Sequence, residues 1–293
     1  MLNFYLMRRF ERGHTTMPTT RHDGHTLWYD IRGQGEPIVL IGGFALLHDQ
    51  FELCLPHLHR LGYSTIDWNY RGSGKSDWTL VRPYALEDWV EDLKAVLDAA
   101  GVAHAHIWAT STGSVIGQRF AAKYPERVRT LITYPWYKAD RYWRDLFDAV
   151  DAICRMFGPR ALSRIFAGSV LPAALQYTPQ QMEYEKWSGV KYETNLNMTT
   201  LRSTLDALSN VDLTGDIANL QCPTVLLLGN DSALNAMDSK KAASFDTLTS
   251  AFLRLKPDAT VAVVPGAGST YCMITKPEET VEILNSAVRA KHA

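Results

Sequence analysis

This sequence is notable first for what it lacks. Its four cysteines, Cys54, Cys154, Cys222 and Cys272, are widely spaced with no CxxC pair, which excludes a clustered metal site of the usual spacing and fits reduced thiols in a cytoplasmic setting. Charge of neither sign dominates: the formal net charge is -1, without the basic excess typical of a nucleic-acid binder. No apolar run reaches the length of a transmembrane helix, so no membrane partner is expected. The start, "MLNFYLMRRFERG", places apolar residues ahead of the arginines, the reverse of a signal peptide. Histidine is also missing from a long stretch. Of nine in the chain, only His292 follows His106.

What is present is a chain of 293 residues, long enough for one large core with an insertion. Residues 1–20 read as an N-terminal arm. After them, apolar β-branched runs alternate with amphipathic stretches. "LWYDI" and "PIVLI" flank "RGQGE", which reads as a hairpin loop. "ALEDWVEDLKAVLDAAG" has helical spacing and a glycine stop, "AHIWA" reads as a buried strand, and "GSVIGQRFAAKYP" reads as a helix ended by Pro125. "TLITY", "TVLLLG" and "TVAVVPG" add core strands, and "PEETVEILNSAVRA" is a closing amphipathic helix. This alternation predicts a mostly parallel central sheet flanked by helices. It stops over residues 136–219, which are rich in aromatics, Met and Leu and read as an inserted helical cap, leaving 21–135 and 220–293 as the core.

"WATSTG", Trp108 to Gly113, follows a strand and opens a helix, the context of a nucleophile elbow. Small residues at Ala109 and Gly113 leave room for a tight turn with Ser111 at its apex and the Thr112 N–H facing the same space. The pattern is short, and the bland alternative is a helix N-cap. The surroundings weigh against that alternative. "PIVLIGGF" is similar to the strand and oxyanion loop of the α/β-hydrolase fold superfamily, and "NYRGSGKSD" resembles its Asp-x-x-Gly-x-Gly-x-Ser loop. "AHIWATSTGSVIGQRFAAKYPERV" resembles its elbow and following helix, and "LQCPTVLLLGNDS" its acid-bearing strand. The resemblance runs from about residue 24 to 290 and implies that fold with a cap. It also implies Ser111 as the nucleophile position and the N–H groups of Phe44 and Thr112 as oxyanion donors.

The resemblance fails where the chemistry of a triad needs it most. The family's base position, after Pro-Gly-Ala-Gly, holds Ser269; its acid position, the fourth residue of "GNDS", holds Ser232, with Asp231 one residue early. The histidine usual at the start of the oxyanion loop is Gly42, beside Gly43. A serine without a base is a weak nucleophile, whereas preorganised backbone donors still stabilise an oxyanion by roughly 3–4 kcal/mol each. The expectation is therefore a cofactor-independent enzyme of lyase, cyclase or isomerase type, acting on an apolar or aromatic carbonyl compound. Two alternatives stand beside it: a serine hydrolase with a relocated base, His48 being the leading substitute although it reads first as a solvent-facing helix start beside Asp49, and a non-catalytic binder of small ligands. Tyr134 and Trp136 are candidate pocket residues, set against a packing role. "RGSGKS" lacks the spacing of a phosphate-binding loop. A small-molecule substrate is the expected partner, and a homodimer stays open.

Overall fold

Eight strands form one sheet in the order β1-β2-β4-β3-β5-β6-β7-β8, antiparallel across β1-β2-β4 and parallel from β4 onward. They are β1 Thr19–His22, β2 His25–Gly33, β3 Glu36–Ile41, β4 Tyr63–Trp68, β5 Ala105–Ala109, β6 Val128–Thr133, β7 Thr224–Gly229 and β8 Thr260–Val264. The computed structural model describes residues 18–43, 48–158, 161, 197–230, 245–267 and 272–292. Among these, the helices are α1 Leu55–Arg60, α2 Leu86–Ala99, α3 Thr112–Lys123, α4 Arg141–Phe157, α5 Met198–Ser209, α6 Thr214–Ala218, α7 Phe245–Leu255, α8 Cys272–Thr275 and α9 Pro277–His292. None of them is long and apolar enough to cross a membrane.

Strand alternation divides the core between the two faces of the sheet. On one face Val39, Ile41, Ile107 and Ala109 pack against Trp89, Leu93 and Val96 of α2 and Val115, Ile116 and Phe120 of α3. On the other, Ile38, Leu40 and Trp108 meet Leu55 and Leu58 of α1 and Val281, Leu284 and Val288 of α9. All five residues of β5 are buried, as expected of a central parallel strand covered on both sides.

One expectation is corrected. "LWYDI" and "PIVLI" are not hairpin partners, because β4 lies between them: Tyr29 is opposite Trp68 on one side of it, and Ile38 opposite Thr65 on the other. The connection is held by the chain just before β4. The Glu36 N–H donates to Gly62 O at 2.9 Å, and a Cβ on Gly35 would fall 2.0 Å from that same oxygen. The hairpin lies earlier. Asp23 and Gly24, at φ 47° and 79°, turn β1 into β2, and β1 begins within the segment read as an arm. Asp-Gly between two strands is a strong signal for such a turn.

Between β6 and β7 the described chain is helical. Asp140 accepts from the Trp143 N–H at the start of α4, and Asn197 from the Thr200 N–H at the start of α5. Its two ends are tied together. The Ala139 N–H donates to Val211 O and the Leu213 N–H to Tyr137 O, both at 2.8 Å. Lys138 Nζ lies 2.6 Å from Asp212, and with Thr214 it holds the Asp212 carboxyl down to about 2.

The lower end of the sheet, where the parallel strands begin, carries a buried histidine. His106 on β5 is 1% exposed, with Glu36 Oε1 3.1 Å from its Nε2 and the His292 ring at 5.8 Å. Burial pushes the His106 pKa below the usual value, and Glu36 opposes that only in part. A depressed folded pKa means that the unfolded chain takes up the proton first as pH falls. The neutral ring's contribution is thus complete above the unfolded value of about 6.5 and is lost below it. Urea unfolding between pH 7.5 and 5.5 should show stability falling more steeply in the parent than in His106→Gln, by up to about 1.4 kcal/mol per pH unit. Equal slopes would remove His106 as the cause.

Candidate active site

At the top of β5 the backbone turns sharply into α3. Ser111 has φ 51° and ψ −125°, one of two described non-glycine residues at positive φ, and its side chain makes no capping hydrogen bond. The N-cap reading of this serine therefore does not describe the turn. Such a conformation costs on the order of 1–3 kcal/mol and persists only where its surroundings over-determine it. They do so here. The Thr110 N–H donates to Ile41 O at 3.1 Å, the Ser114 N–H to Ser111 O at 2.9 Å, and Ser114 Oγ to Ala109 O at 3.2 Å.

Glycine at 113 is a packing requirement. A Cβ there would sit 2.2 Å from Ile41 O and 2.7 Å from Gly42 O, so α3 starts with its backbone against the end of β3. Gly117, one turn on, would place a Cβ 3.0 Å from Ala109 Cβ. This close approach sets the chain after β3 beside Ser111. Ser111 is half-buried and Thr112 is 2% exposed; the Thr112 N–H, at the first helical position, has no acceptor within the helix. That leaves it available to an oxygen beside Ser111, where the helix dipole also favours negative charge.

The loop after β3 is gripped by buried side chains that the sequence reading missed. The Gly43 N–H donates to Gln50 Oε1 at 3.1 Å, and Gly43 O accepts from the Tyr70 hydroxyl at 3.3 Å. Gln50 Nε2 in turn reaches Met273 Sδ at 3.7 Å. Tyr70 rings against Trp89 at 5.5 Å, and burial pushes its hydroxyl pKa well up. Its neighbour Arg71 is 1% exposed and grips the fully buried Asp92 twice, Nε to Oδ2 at 2.8 Å and Nη2 to Oδ1 at 2.6 Å. Polar residues in an otherwise apolar stretch, as in "HDQF", were the available signal for Gln50.

The other anticipated residues fall as follows. Tyr134 follows β6 and is buried, its N–H donating to Ser114 Oγ at 3.2 Å and its carbonyl accepting from Gln118 Nε2 at 3.0 Å. Trp136 is 1% exposed, donates its indole N–H to Lys138 O, and packs on Trp143 at 4.7 Å and Phe147 at 6.1 Å. Its ring thus serves packing beneath α4. Phe44, Asp231, Ser232 and Ser269 lie outside the described residues, as does the side chain of His48, whose backbone forms part of a 3-10 turn, His48–Phe51. The ends of the two strands meant to bring acid and base are linked: the Gly266 N–H donates to Asn230 Oδ1 at 2.7 Å.

Setting aside His48 and His14, which also lies outside the described residues, each of the other histidines has partners elsewhere. His22 pairs with Asp92, and His25 contacts the carbonyls of Asp23 and Thr79. His57 faces Glu278, His59 meets Thr65, His104 meets Arg129, and His292 reaches Thr130 at the lower end of the sheet. Cys272, just after the loop of Ser269, is buried and its thiol is pushed up to about 11, so it is a neutral packing group. Among the described residues no three His, Cys, Asp or Glu side chains gather as a metal would require.

The contact at Gly113 leads to a direct expectation. Gly113→Ala adds a methyl that the carbonyls of β3 cannot clear without moving, so the variant should lose about 1–3 kcal/mol of stability in urea unfolding. An unchanged midpoint would show that the two loops are less tightly joined than their geometry implies.

The comparisons agree with this architecture. A family described as alpha/beta hydrolase fold matches residues 36–134. RutD of Azorhizobium caulinodans, whose name assigns it carbamate hydrolysis, is 29% identical over 224 residues, covering 74% of this chain and 82% of that protein. A carboxylesterase structure from Nitrososphaera gargenis superposes with a TM-score of 0.78 at 18% identity, covering 94% of this chain and 99% of its own. The enol-lactonase of Burkholderia xenovorans LB400 superposes with a TM-score of 0.74 at 18% identity, covering 93% and 100% respectively. Sheet order, strained elbow and relatives converge: this chain has the α/β-hydrolase fold.

Proposed function

We propose that this chain is a serine hydrolase acting on a small acyl compound, with Ser111 as the nucleophile. The observation that carries the proposal is the strained turn at Ser111, φ 51°, held beside the Thr112 N–H and the end of β3. A turn that spends conformational energy to expose a hydroxyl is what nucleophilic attack on a carbonyl requires. The relatives support the same reading, since carbamate hydrolase, carboxylesterase and enol-lactonase are all names for enzymes that break a bond at a carbonyl carbon.

In this scheme Ser111 Oγ attacks the carbonyl carbon as its proton passes to a base. The resulting oxyanion is held by the N–H groups of Thr112 and Phe44. The leaving group departs with that proton, and water then releases the acyl group from Ser111. For the base we assign His48. It follows the oxyanion loop by a few residues, and the histidines with described side chains are engaged elsewhere. Tyr134 lines the acyl side, and Asp231 is the candidate carboxylate.

The expectation of a lyase, cyclase or isomerase finds no support among these relatives, and it becomes the second reading. What favours it is the absence of histidine between His106 and His292, which empties the family's base position. The two readings separate on one measurement. A fluorophosphonate should label the parent chain once, Ser111→Ala should abolish the labelling, and His48→Ala should slow it by about 100-fold or more. A folded parent chain that resists labelling overturns the hydrolase reading and moves the second into its place. Full labelling in His48→Ala overturns only the assignment of the base.

A further inference from the structure

The loop after β3 is held in an unusual way. Both polar groups of Gly43 are consumed by buried side chains from separate segments: its N–H by Gln50 Oε1 at 3.1 Å, and its carbonyl by the Tyr70 hydroxyl at 3.3 Å. Gln50 is 4% exposed and Tyr70 5%. Gln50 belongs to the 3-10 turn that follows the loop, and Tyr70 to the loop that follows β4. A buried hydrogen bond to a backbone group fixes orientation because breaking it leaves a desolvated partner unpaired.

Two consequences follow for an oxyanion beside Ser111. The Gly43 N–H is already spent on Gln50, so it is not itself free to hold an oxyanion. The Gly43 carbonyl is likewise committed, and a planar peptide unit whose carbonyl is held cannot rotate freely. Tyr70 follows β4 and Ser111 follows β5, and these strands flank β3 on opposite sides. A carbonyl turned to Tyr70 is therefore turned away from the side of Ser111.

We propose that Tyr70 and Gln50 are positioning residues that lock the Gly43 backbone, and with it the end of the loop after β3 that stands beside Ser111, in one orientation. The proposal rests on the hydrolase reading for its catalytic consequence, while the lock itself is independent of it. Anchorage of the two side chains agrees with this role. Tyr70 is wedged against Trp68 at 6.2 Å and Trp89 at 5.5 Å, and the Arg71–Asp92 pair pins the residue next to it. Gln50 is tied through Nε2 to Met273 of α8.

The test uses Tyr70→Phe and Gln50→Leu, which remove the polar contacts and keep the bulk. Tyr84→Phe serves as a control: Tyr84 is another buried tyrosine, whose hydroxyl donates to Thr79 O and has no part in the loop. With p-nitrophenyl acetate, kcat should fall at least about 10-fold in the first two variants, part of the 10²–10³ that loss of an oxyanion donor costs, with KM within about twofold. Tyr84→Phe should keep the parent's kcat. In parallel, hydrogen exchange of the Gly43 amide should speed up by about 10-fold or more in Gln50→Leu, as a buried hydrogen bond worth over 1 kcal/mol is lost. Retained kcat in both variants, an equal loss in Tyr84→Phe, or unchanged Gly43 exchange would each overturn the proposal. A parent chain with no Ser111-dependent turnover overturns the hydrolase reading instead, and the lock then stands or falls on the exchange measurement alone.

Discussion

The site depends on one close approach: the backbone of α3 at Gly113 against the carbonyls that end β3. A side chain at 113 would meet Ile41 O at 2.2 Å, so the contact exists only because the residue has none. From it follow the hydrogen bond between Thr110 and Ile41, the positive φ of Ser111, and the nearness of the chain after β3 to the serine. The strain at Ser111 is stored locally and offset by the rest of the sheet. Burial of β5 on both faces gives that turn a rigid base on either side.

Above the sheet the stabilising currency changes from apolar burial to buried polar contacts. Loops at the upper strand ends cannot all bury apolar surface, and their backbone groups must still be paired. Gln50 and Tyr70 satisfy Gly43, Asn69 Oδ1 accepts the Lys75 N–H, and Arg71 neutralises Asp92 within the core. The same contacts that satisfy these loops also limit the orientations their peptides can take. Satisfaction and preorganisation are here one and the same arrangement, which is why the polar residues of "NYRGSGKSD" matter although none of them carries the chemistry.

The molecule joins a strained, half-buried serine to a scaffold in which the resemblance implies Ser232 and Ser269 at the acid and base positions. A serine turn costs energy whether or not a base stands beside it, and the fold retains that cost. On the proposed hydrolase reading, the retained strain belongs to a hydrolytic site for which His48 is the assigned base.

The sequence alone determined the fold class and the elbow, because both are written in short-range patterns. Buried strands such as "AHIWA" and "TVLLLG" show as apolar β-branched runs, and the small residues around Ser111 are demanded by local sterics. It also determined that only His292, in the closing helix, follows the last core strand, a matter of composition. The tertiary structure alone decided the strand pairing. β2 and β3 are neighbours in sequence, yet β4 comes between them, since pairing depends on which edges meet and not on chain order. It alone brought Gln50 and Tyr70 to the two sides of Gly43, from 7 and 27 residues away. Hydrogen bonds across such separations leave no periodic trace, so a sequence reading finds the elbow and misses what holds its surroundings in place.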